Sequence, residues 1–392
     1  MARWLTAHIP VPLIGSDQDF ALWALLLAMA AFGFWCERFP WGRKYSGVMI
    51  VITLGIVLSN LRLIPSTAPV YSTVWNYLVP AAIPLLLFRA DIRRIVRESG
   101  PTLIAFIIGA AGVVAGTLIG IRLLDLGRFT PELAGVFTGT YIGGSLNFAG
   151  VAKAADFNQP ALMGAAVAAD NVITNLHFLI ILALPGMLWL TRYFPTSHMD
   201  GAANDGGGEA AAETAPHHIE RLDIAGLLLA LGLSFGLCAL GYAIAGGLGY
   251  PQYAILIITG LALLVPLVAP RLIARLSGDF EAGNVLMMIF FASIGASADL
   301  WVLVKTAPIL FGFAALIIVV HLVILFAIGK VLRIDVAELA VASVAAIGGP
   351  GSAAALASVK GWRALVTPGV LTGSLGYAIG TFIGIAVVEM LR

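Results

Sequence analysis

One apolar stretch, from Ala161 to Leu190, is long enough to cross a bilayer and carries a carboxylate near its middle. A spanning helix needs about 20 mainly apolar residues. Asp170 stands inside this stretch beside Asn171, and a charged side chain at the centre of a membrane helix costs about 2.5–3.5 kcal/mol on insertion scales. We therefore expect a membrane protein in which Asp170 faces protein or water rather than lipid.

The rest of the chain is similarly apolar. Of its 392 residues, 60% are hydrophobic and 11% are charged, whereas a soluble protein carries about 25% charged residues. The net charge of +1 gives no indication of a nucleic-acid partner. The composition predicts an all-α protein that crosses the membrane several times. We place it in the bacterial inner membrane, with the lipid bilayer as its main partner.

Twelve apolar segments are candidate spans, six on each side of a polar stretch. They cover approximately 19–37, 46–61, 70–88, 101–124, 132–154, 161–190, 223–247, 251–269, 282–299, 305–332, 336–359 and 364–391. The stretch 195–221 is rich in Gly and polar residues, so we expect a flexible linker there. The linker divides the chain into an N-terminal repeat, 1–194, and a C-terminal repeat, 222–392.

The two halves match each other in sequence at a nearly constant offset. The matches pair Ala90-Asp91 with Ala298-Asp299, Pro101 with Pro308, Glu132-Leu133-Ala134 with Glu338-Leu339-Ala340, and Ile142-Gly143-Gly144 with Ile347-Gly348-Gly349. We expect two structural repeats of about six helices each and favour an inverted relation. If all twelve segments crossed the membrane, the two repeats would be parallel. More Lys and Arg residues of the second half would then lie outside than inside, against the positive-inside rule. The number of crossings therefore stays open between 11 and 13.

The fifth and eleventh segments are poor continuous helices. Pro350 removes a helix hydrogen bond, and each Gly around it and around Gly144 weakens a helix. Freed backbone groups at membrane depth are tolerated where they line a cavity, and the exposed half-helix ends attract ions. The alternative is that these glycines only permit close helix packing. The predicted solute-binding residues are Thr140, Ser145, Asn147, Gly349, Gly351, Ser352 and, in the twelfth segment, Ser374.

The sixth segment carries a polar face. Asp170, Thr174 and His177 follow a spacing of i, i+4 and i+7, and Asn171 and Asn175 lie beside them. Hydroxyl and amide oxygens together with a carboxylate suit a hard cation. We expect these residues, His177 excepted, to bind Na⁺ or H⁺ as the coupling ion, with no other metal and no cofactor. His177 is a candidate proton relay; the alternative for Asp170 and His177 is hydrogen bonding between helices.

Two broken segments in matched repeats, followed by Asp170-Asn171 on the next helix, resemble the superfamily of cation/proton antiporters and organic-anion symporters. In its antiporter branch an Asp-Asp or Asn-Asp pair follows the broken helix, and bile-acid and citrate symporters share the broken helices. The segments 140–147 and 347–350 resemble more closely a bacterial membrane-protein family known only as a domain of unknown function. The resemblance implies discontinuous helices in each repeat, a mobile core and a homodimer.

These features together predict a secondary active transporter that couples Na⁺ or H⁺ to a small solute such as an organic anion. A monovalent cation/proton antiporter without an organic substrate is the first alternative. An intramembrane enzyme acting on a lipid-linked substrate and a membrane-embedded binding or scaffolding protein also stay open. The chain contains no P-loop, nucleophile elbow or zinc-protease motif, so we expect a protein that is not an enzyme.

Overall fold

A computed structural model describes residues 12–39, 47–90, 92–184, 192–198, 223–298 and 300–392, and the regular elements in these ranges are all helices. The helices are α1 (Asp19–Cys36), α2 (Gly47–Asn60), α3 (Pro69–Leu87), α4 (Ile92–Glu98), α5 (Gly100–Leu123), α6 (Thr130–Gly143), α7 (Ser145–Ala154), α8 (Pro160–Ala183), α9 (Ile224–Gly247), α10 (Ala254–Val268), α11 (Asp279–Ser297), α12 (Leu300–Val331), α13 (Val336–Val359) and α14 (Val366–Leu391). Shorter helical pieces are Gly127–Phe129, Pro251–Tyr253, Pro270–Ile273 and Arg363–Leu365. The prediction of an all-helical protein is confirmed for the described residues.

Nine helices in the described ranges are long and apolar enough to cross a membrane. The shorter apolar helices α2 and α10 have 14 and 15 residues. In the middle of α3 the five residues Val74–Leu78 form a π-helix. These properties confirm a multi-pass membrane protein. Asp91 and Asp299 of the first sequence match lie outside the described residues, as does most of the predicted linker beyond His198.

Local signals set several helix starts. Pro131 lies in the first turn of α6, and Pro160 in that of α8. Backbone N–H groups in a first turn have no partner within the helix, so the N–H that proline lacks costs no hydrogen bond there. The carboxylate of Asp335 accepts a hydrogen bond of 2.8 Å from the Ala337 N–H and caps α13. These residues account for where α6, α8 and α13 begin.

Helices at equivalent positions of the two halves pack in opposite directions. On α5, Gly109 and Gly112 face His321 of α12, and Gly120 faces Phe313 further toward the start of α12. Small residues let the two backbones approach closely, as is usual between membrane helices. The residue order on α12 therefore runs opposite to that on α5, so the pair is antiparallel.

The pair α3 and α11 is antiparallel as well. Leu86, near the end of α3, lies against Gly283 in the first turns of α11, and Trp75 near the start of α3 stacks on Phe290, with ring centroids 5.8 Å apart. Just beyond the end of α3, Arg89 binds the fully buried carboxylate of Asp279 with its Nη2 2.7 Å from Oδ1. This ion pair neutralises a carboxylate that has no contact with solvent.

The segment from α6 to α7 reverses direction at Gly144. A methyl group on Gly139 of α6 would lie 2.8 Å from Val151 of α7, so the two arms pack side by side. The guanidinium of Arg392 donates to Glu132 at the start of α6 (3.0 Å) and to the Ala155 carbonyl just after α7 (2.9 Å). In one straight helix those residues would lie roughly 35 Å apart. We call this pair of antiparallel arms hairpin 1.

The helix α13 also folds back, at Gly349. A methyl group on Gly369 of α14 would lie 2.7 Å from Val341 and 3.2 Å from Ala353. These two residues of α13 would be roughly 18 Å apart along a straight helix. The arms 336–348 and 350–359 therefore lie side by side, and we call them hairpin 2. The sequence predicted a single broken span for each hairpin, so the reversal of direction is a difference from that expectation.

The residues just after α8 contact the base of hairpin 2. The Pro195 carbonyl accepts a hydrogen bond of 3.1 Å from the Val336 N–H, and the Ser197 hydroxyl donates to Asp335 over 2.7 Å. The His198 ring lies 3.7 Å from the Glu338 carboxylate. The first residues of the predicted linker, 195–198, are thus attached to the C-terminal half.

Candidate functional site

The tips of the two hairpins meet at one side chain of α14. Gly144 has φ 71° and Gly349 has φ 77°, a backbone conformation that L side chains rarely adopt. A methyl group on Gly144 would lie 3.4 Å from Cε1 of Tyr377, and one on Gly349 would lie 3.2 Å from the same atom. Glycine at both tips therefore permits the reversal and the close approach to Tyr377.

A seam of glycines on α14 contacts both hairpins. Gly373 packs on the backbone of Pro350 in hairpin 2, where an added methyl group would lie 2.7 Å from the Pro350 Cα. One turn on, Gly376 meets Ile142 and Gly143 of hairpin 1. The tips of the two hairpins are thus held on successive turns of one helix.

Asn147, a predicted solute ligand, spans the contact between hairpin 1 and α14. Its amide donates to the carbonyls of Gly143 (2.9 Å) and Gly376 (3.2 Å), and its oxygen accepts from Thr381 over 2.6 Å. The side chain is fully buried. In this structure the hydrogen bonds of Asn147 connect hairpin 1 to α14. Its role in solute binding stays a prediction.

The other predicted solute residues lie around the tips. Ser145 and Ser352 are half-buried, each just after a tip, and Gly351 is exposed. Ser374 donates to the Val370 carbonyl one turn earlier on α14, over 2.9 Å. Thr140 is buried in the last turn of the first arm, and its hydroxyl has no hydrogen-bond partner. The hairpin tips therefore bring Ser145, Gly349, Gly351 and Ser352 to one region.

Asp170 is buried on α8 with little to offset its charge. Its side chain is 4% exposed, and its Oδ1 accepts a hydrogen bond of 3.0 Å from the Thr174 hydroxyl. In the described part of the chain, no Lys, Arg or His forms an ion pair with Asp170. A buried carboxylate without a cationic partner is costly unless a proton or a bound cation neutralises it.

The two asparagines beside Asp170 use their amide groups within α8. Asn171 donates to the Val167 carbonyl over 2.9 Å, and Asn175 donates to the Asn171 carbonyl over 2.7 Å. These local bonds use the N–H groups of the two side-chain amides, whereas a cation would bind their oxygen atoms. The predicted ion ligands Asp170, Asn171, Thr174 and Asn175 thus share one helix, and their oxygens are compatible with a hard cation.

A buried hydrogen-bond chain joins four helices beyond Asp170. The Ser343 hydroxyl of hairpin 2 lies 2.8 Å from Nε2 of His177 and 2.9 Å from Nε2 of His321. The other ring nitrogen of His321, Nδ1, lies 2.8 Å from the Gly109 carbonyl of α5. A carbonyl only accepts, so with both rings neutral Nδ1 of His321 donates to Gly109. Ser343 then donates to His321 and accepts from His177.

Sequence reasoning missed the link between the two histidines. His177 was a candidate relay residue, and no sequence pattern connected it with His321. The connecting residue, Ser343, is the single hydroxyl residue in the Ala- and Val-rich first arm of hairpin 2, 166 residues from His177. Only a signal that pairs distant positions, such as covariation between them, could have found it.

We expect Ser343→Ala to destabilise the fold by about 1–3 kcal/mol, because a buried donor on His177 and a buried acceptor on His321 lose their partner. Thermal unfolding of the purified protein in detergent measures this change. Ser293→Ala is the matched control, since the buried Ser293 hydroxyl bonds locally to the Phe290 carbonyl. Equal melting temperatures for the two variants would contradict a structural role of the chain.

A cavity of about 850 Å³ opens beside the first turns of α8. Met163 of α8 lines it, with Asn60 of α2, Trp75 of α3 and Ser293 of α11. Asp170 lies two helical turns, roughly 10 Å, further along α8 than Met163, on the same face. The lining residues do not include the predicted solute-binding residues. We call this space the α8 cavity.

In the part of the chain that the structure describes, no group of three or more His, Cys, Asp and Glu side chains could hold a metal ion. The buried cysteines Cys36 and Cys238 are both free. A cation site at Asp170 would therefore rest on one carboxylate with neutral oxygens. That donor set fits a monovalent ion better than a transition metal.

Comparisons with known proteins agree with the membrane architecture. The profile of the family described as "Protein of unknown function (DUF819)" matches residues 24–392. The chain is also similar to the "Uncharacterized membrane protein YjcL" of Bacillus subtilis (strain 168). The two sequences are 36% identical over 389 residues, which cover 95% of this chain and 96% of the relative.

Proposed function

Because the chain belongs to the DUF819 family, whose function is unknown, we propose from its geometry that it is a secondary active transporter. Na⁺ or H⁺ binds at Asp170 and drives the movement of a small solute that binds between the hairpin tips. One observation carries the proposal: among the described residues, the buried carboxylate of Asp170 has a single hydrogen bond and no cationic partner. Intramembrane ionisable residues commonly mark ion pathways.

The proposed architecture is a pair of inverted repeats. Each half contributes five crossing helices and one hairpin that returns to the side it entered, which gives ten crossings, fewer than the 11 to 13 that the sequence left open. An odd number of crossings inverts the second repeat relative to the first. The antiparallel packing of α5 with α12 and of α3 with α11 supports this relation, because equivalent helices of parallel repeats would run in the same direction.

The distribution of Lys and Arg supports the same topology. With two non-crossing hairpins, Arg38 and Arg89 share one side with most basic residues of the second half. The latter are Arg271, Arg275, Lys330, Arg333, Lys360 and Arg363, whereas Lys305 and Arg392 lie on the opposite side. The positive-inside rule makes the Arg-rich side cytoplasmic. This arrangement removes the conflict that twelve plain crossings created, and it is compatible with the proposed location in the bacterial inner membrane.

In this topology the α8 cavity opens to the outer side, since Asn60 and the loop before α8 lie there. The cavity lies between the first turns of α8 and residues of α2, α3 and α11. We infer that α14 and both hairpins belong to a mobile core, and that α2, α3 and α11 belong to a scaffold. A homodimer built on the scaffold stays a prediction from the resemblance.

Solute binding at the tips is supported by their backbone. Each tip is followed by the start of a helical arm, at Ser145 and Pro350, whose first N–H groups have no partner within that arm. Two helix N-termini that converge near Tyr377 favour a negatively charged group. An organic anion is therefore the solute class that this geometry suits best.

Transport by purified protein in proteoliposomes tests the proposal. We expect a Na⁺ or proton gradient to drive uptake of at least one organic anion, identified first by thermal-shift screening against Na⁺, Li⁺, K⁺, pH and a metabolite panel. In a cation/proton antiporter, the cation gradient would move protons without any solute. Absence of gradient-driven movement of ions and of every stabilising solute would refute a transport function.

A further inference from the structure

The last turn of the first arm of hairpin 1 carries an unusual phenol. Tyr141 is fully buried, and its Oη has no hydrogen-bond partner within the described ranges of the chain. Burying a hydroxyl without a partner costs about 1–3 kcal/mol, so such a group calls for a ligand or another function. By contrast, Thr138 in the same arm is satisfied, with bonds to Thr117 (2.9 Å) and to the Ala134 carbonyl (2.8 Å).

The helix α8, which carries Asp170, contacts α6, which carries Tyr141, and the Asp170 carboxylate acts electrostatically on the Tyr141 hydroxyl. The carboxylate itself has a single hydrogen bond, from Thr174. The buried, under-coordinated acid therefore lies on a helix that contacts hairpin 1, and hairpin 1 carries the buried Tyr141 hydroxyl. Neither group is explained by the packing of the protein alone.

The Tyr141 ring has a defined position. It packs on Phe137 with ring centroids 5.8 Å apart, and Phe137 in turn meets Phe313 of α12 edge-on at 5.5 Å. Three residues after Tyr141 comes the hairpin tip at Gly144. A ligand held by the Tyr141 hydroxyl would therefore act directly on the arm that ends at the solute region.

We propose that Tyr141 Oη is a ligand of the coupling cation, which bridges Asp170 and Thr174 of α8 to hairpin 1. The inference rests on the proposed function and adds the cation class: a hard monovalent cation such as Na⁺, held by one carboxylate and hydroxyl oxygens. Binding of the cation would tie hairpin 1 to α8 and so connect ion binding to the position of the Gly144 tip.

Tyr141→Phe tests this assignment, because it removes the hydroxyl and keeps the ring. We measure thermal unfolding of the purified protein as a function of NaCl, with choline chloride holding ionic strength constant. We expect the Na⁺ concentration at half-maximal stabilisation to rise about tenfold, the effect of losing roughly 1.4 kcal/mol of binding. Without Na⁺ the variant should melt at the same temperature as the wild type or higher, since an unsatisfied buried group is removed.

Tyr71→Phe is the matched control. The Tyr71 hydroxyl donates to the Pro65 carbonyl over 3.0 Å, so its loss should lower the melting temperature and leave the Na⁺ midpoint unchanged. A merely structural Tyr141 would behave in the same way as Tyr71. The combination of unchanged or increased stability without Na⁺ and weaker Na⁺ binding is specific to a ligand.

The outcomes separate this inference from the proposed function. If Tyr141→Phe keeps the wild-type Na⁺ midpoint while Asp170→Asn loses the response, Tyr141 is not a ligand and the transporter proposal stands. If the wild type shows no thermal response to Na⁺ but does show proton-driven uptake, Tyr141 is likewise not a cation ligand and the transporter proposal stands. A wild type without any ion response or gradient-driven movement overturns both.

Discussion

Asp170→Asn should abolish ion-dependent stabilisation and reduce coupled uptake to the level of empty liposomes, while the protein stays folded. The substitution preserves the shape of the side chain and removes its charge. A cation at 100 times its dissociation constant stabilises the folded state by about 2.7 kcal/mol, and the variant should lose that increment. In the absence of ions its stability should equal or exceed that of the wild type, because no carboxylate is then buried without a partner.

The matched control is Asp125→Asn, which makes the same chemical change at an exposed loop carboxylate. Asp125 accepts a hydrogen bond from the Gly127 N–H, and an asparagine oxygen can still accept it. This variant should retain the wild-type ion response and uptake. Normal cation dependence in Asp170→Asn would remove Asp170 from the coupling site.

Gly143→Ala should produce the largest structural effect among conservative substitutions at the tips. An added methyl group would collide with the Gly376 carbonyl group of α14 and the Asn147 amide. Backbone atoms cannot move aside as a flexible side chain can, so we expect a loss of about 1–3 kcal/mol, the range for overpacking. Thermal unfolding and the monodisperse fraction in size-exclusion chromatography measure it.

Gly236→Ala on α9 provides the comparison. No atom outside its local helix lies within 4 Å of the added methyl group, and alanine is the better helix former. This variant should express and melt as well as the wild type or better. If both variants behaved alike, the close contact between hairpin 1 and α14 would not contribute to stability.

The sequence predicted the positions of the backbone breaks but not their shape. Gly144 and Gly349 were identified because glycine and proline weaken a helix wherever it runs. A kinked span and a hairpin require the same residues at the break. What distinguishes them is the contact of Gly139 with Val151 and the shared contact of Val341 and Ala353 with Gly369. Such contacts between arms leave no periodic pattern in a single sequence.

The candidate site was predictable to a similar degree. The polar face of α8 followed from helical spacing, because Asp170, Thr174 and His177 recur at intervals that bring them to one side. The partners of that face on other helices, Tyr141 and Ser343, did not follow. An aromatic or a hydroxyl residue in an apolar helix is usually part of the core, and its role appears only when the packing brings it to a charged or polar neighbour.

The glycine seam of α14 also constrains how the protein could be inhibited. Where Gly373 and Gly376 touch the hairpins, main chain lies directly on main chain, with no rotatable side chain between them. No flexible side chains separate α14 from the two hairpins at these contacts, so we expect the three segments to move together in any rearrangement. A drug-sized compound would find no opening inside that seam, whereas one bound in the α8 cavity would obstruct the movement of core against scaffold that we propose.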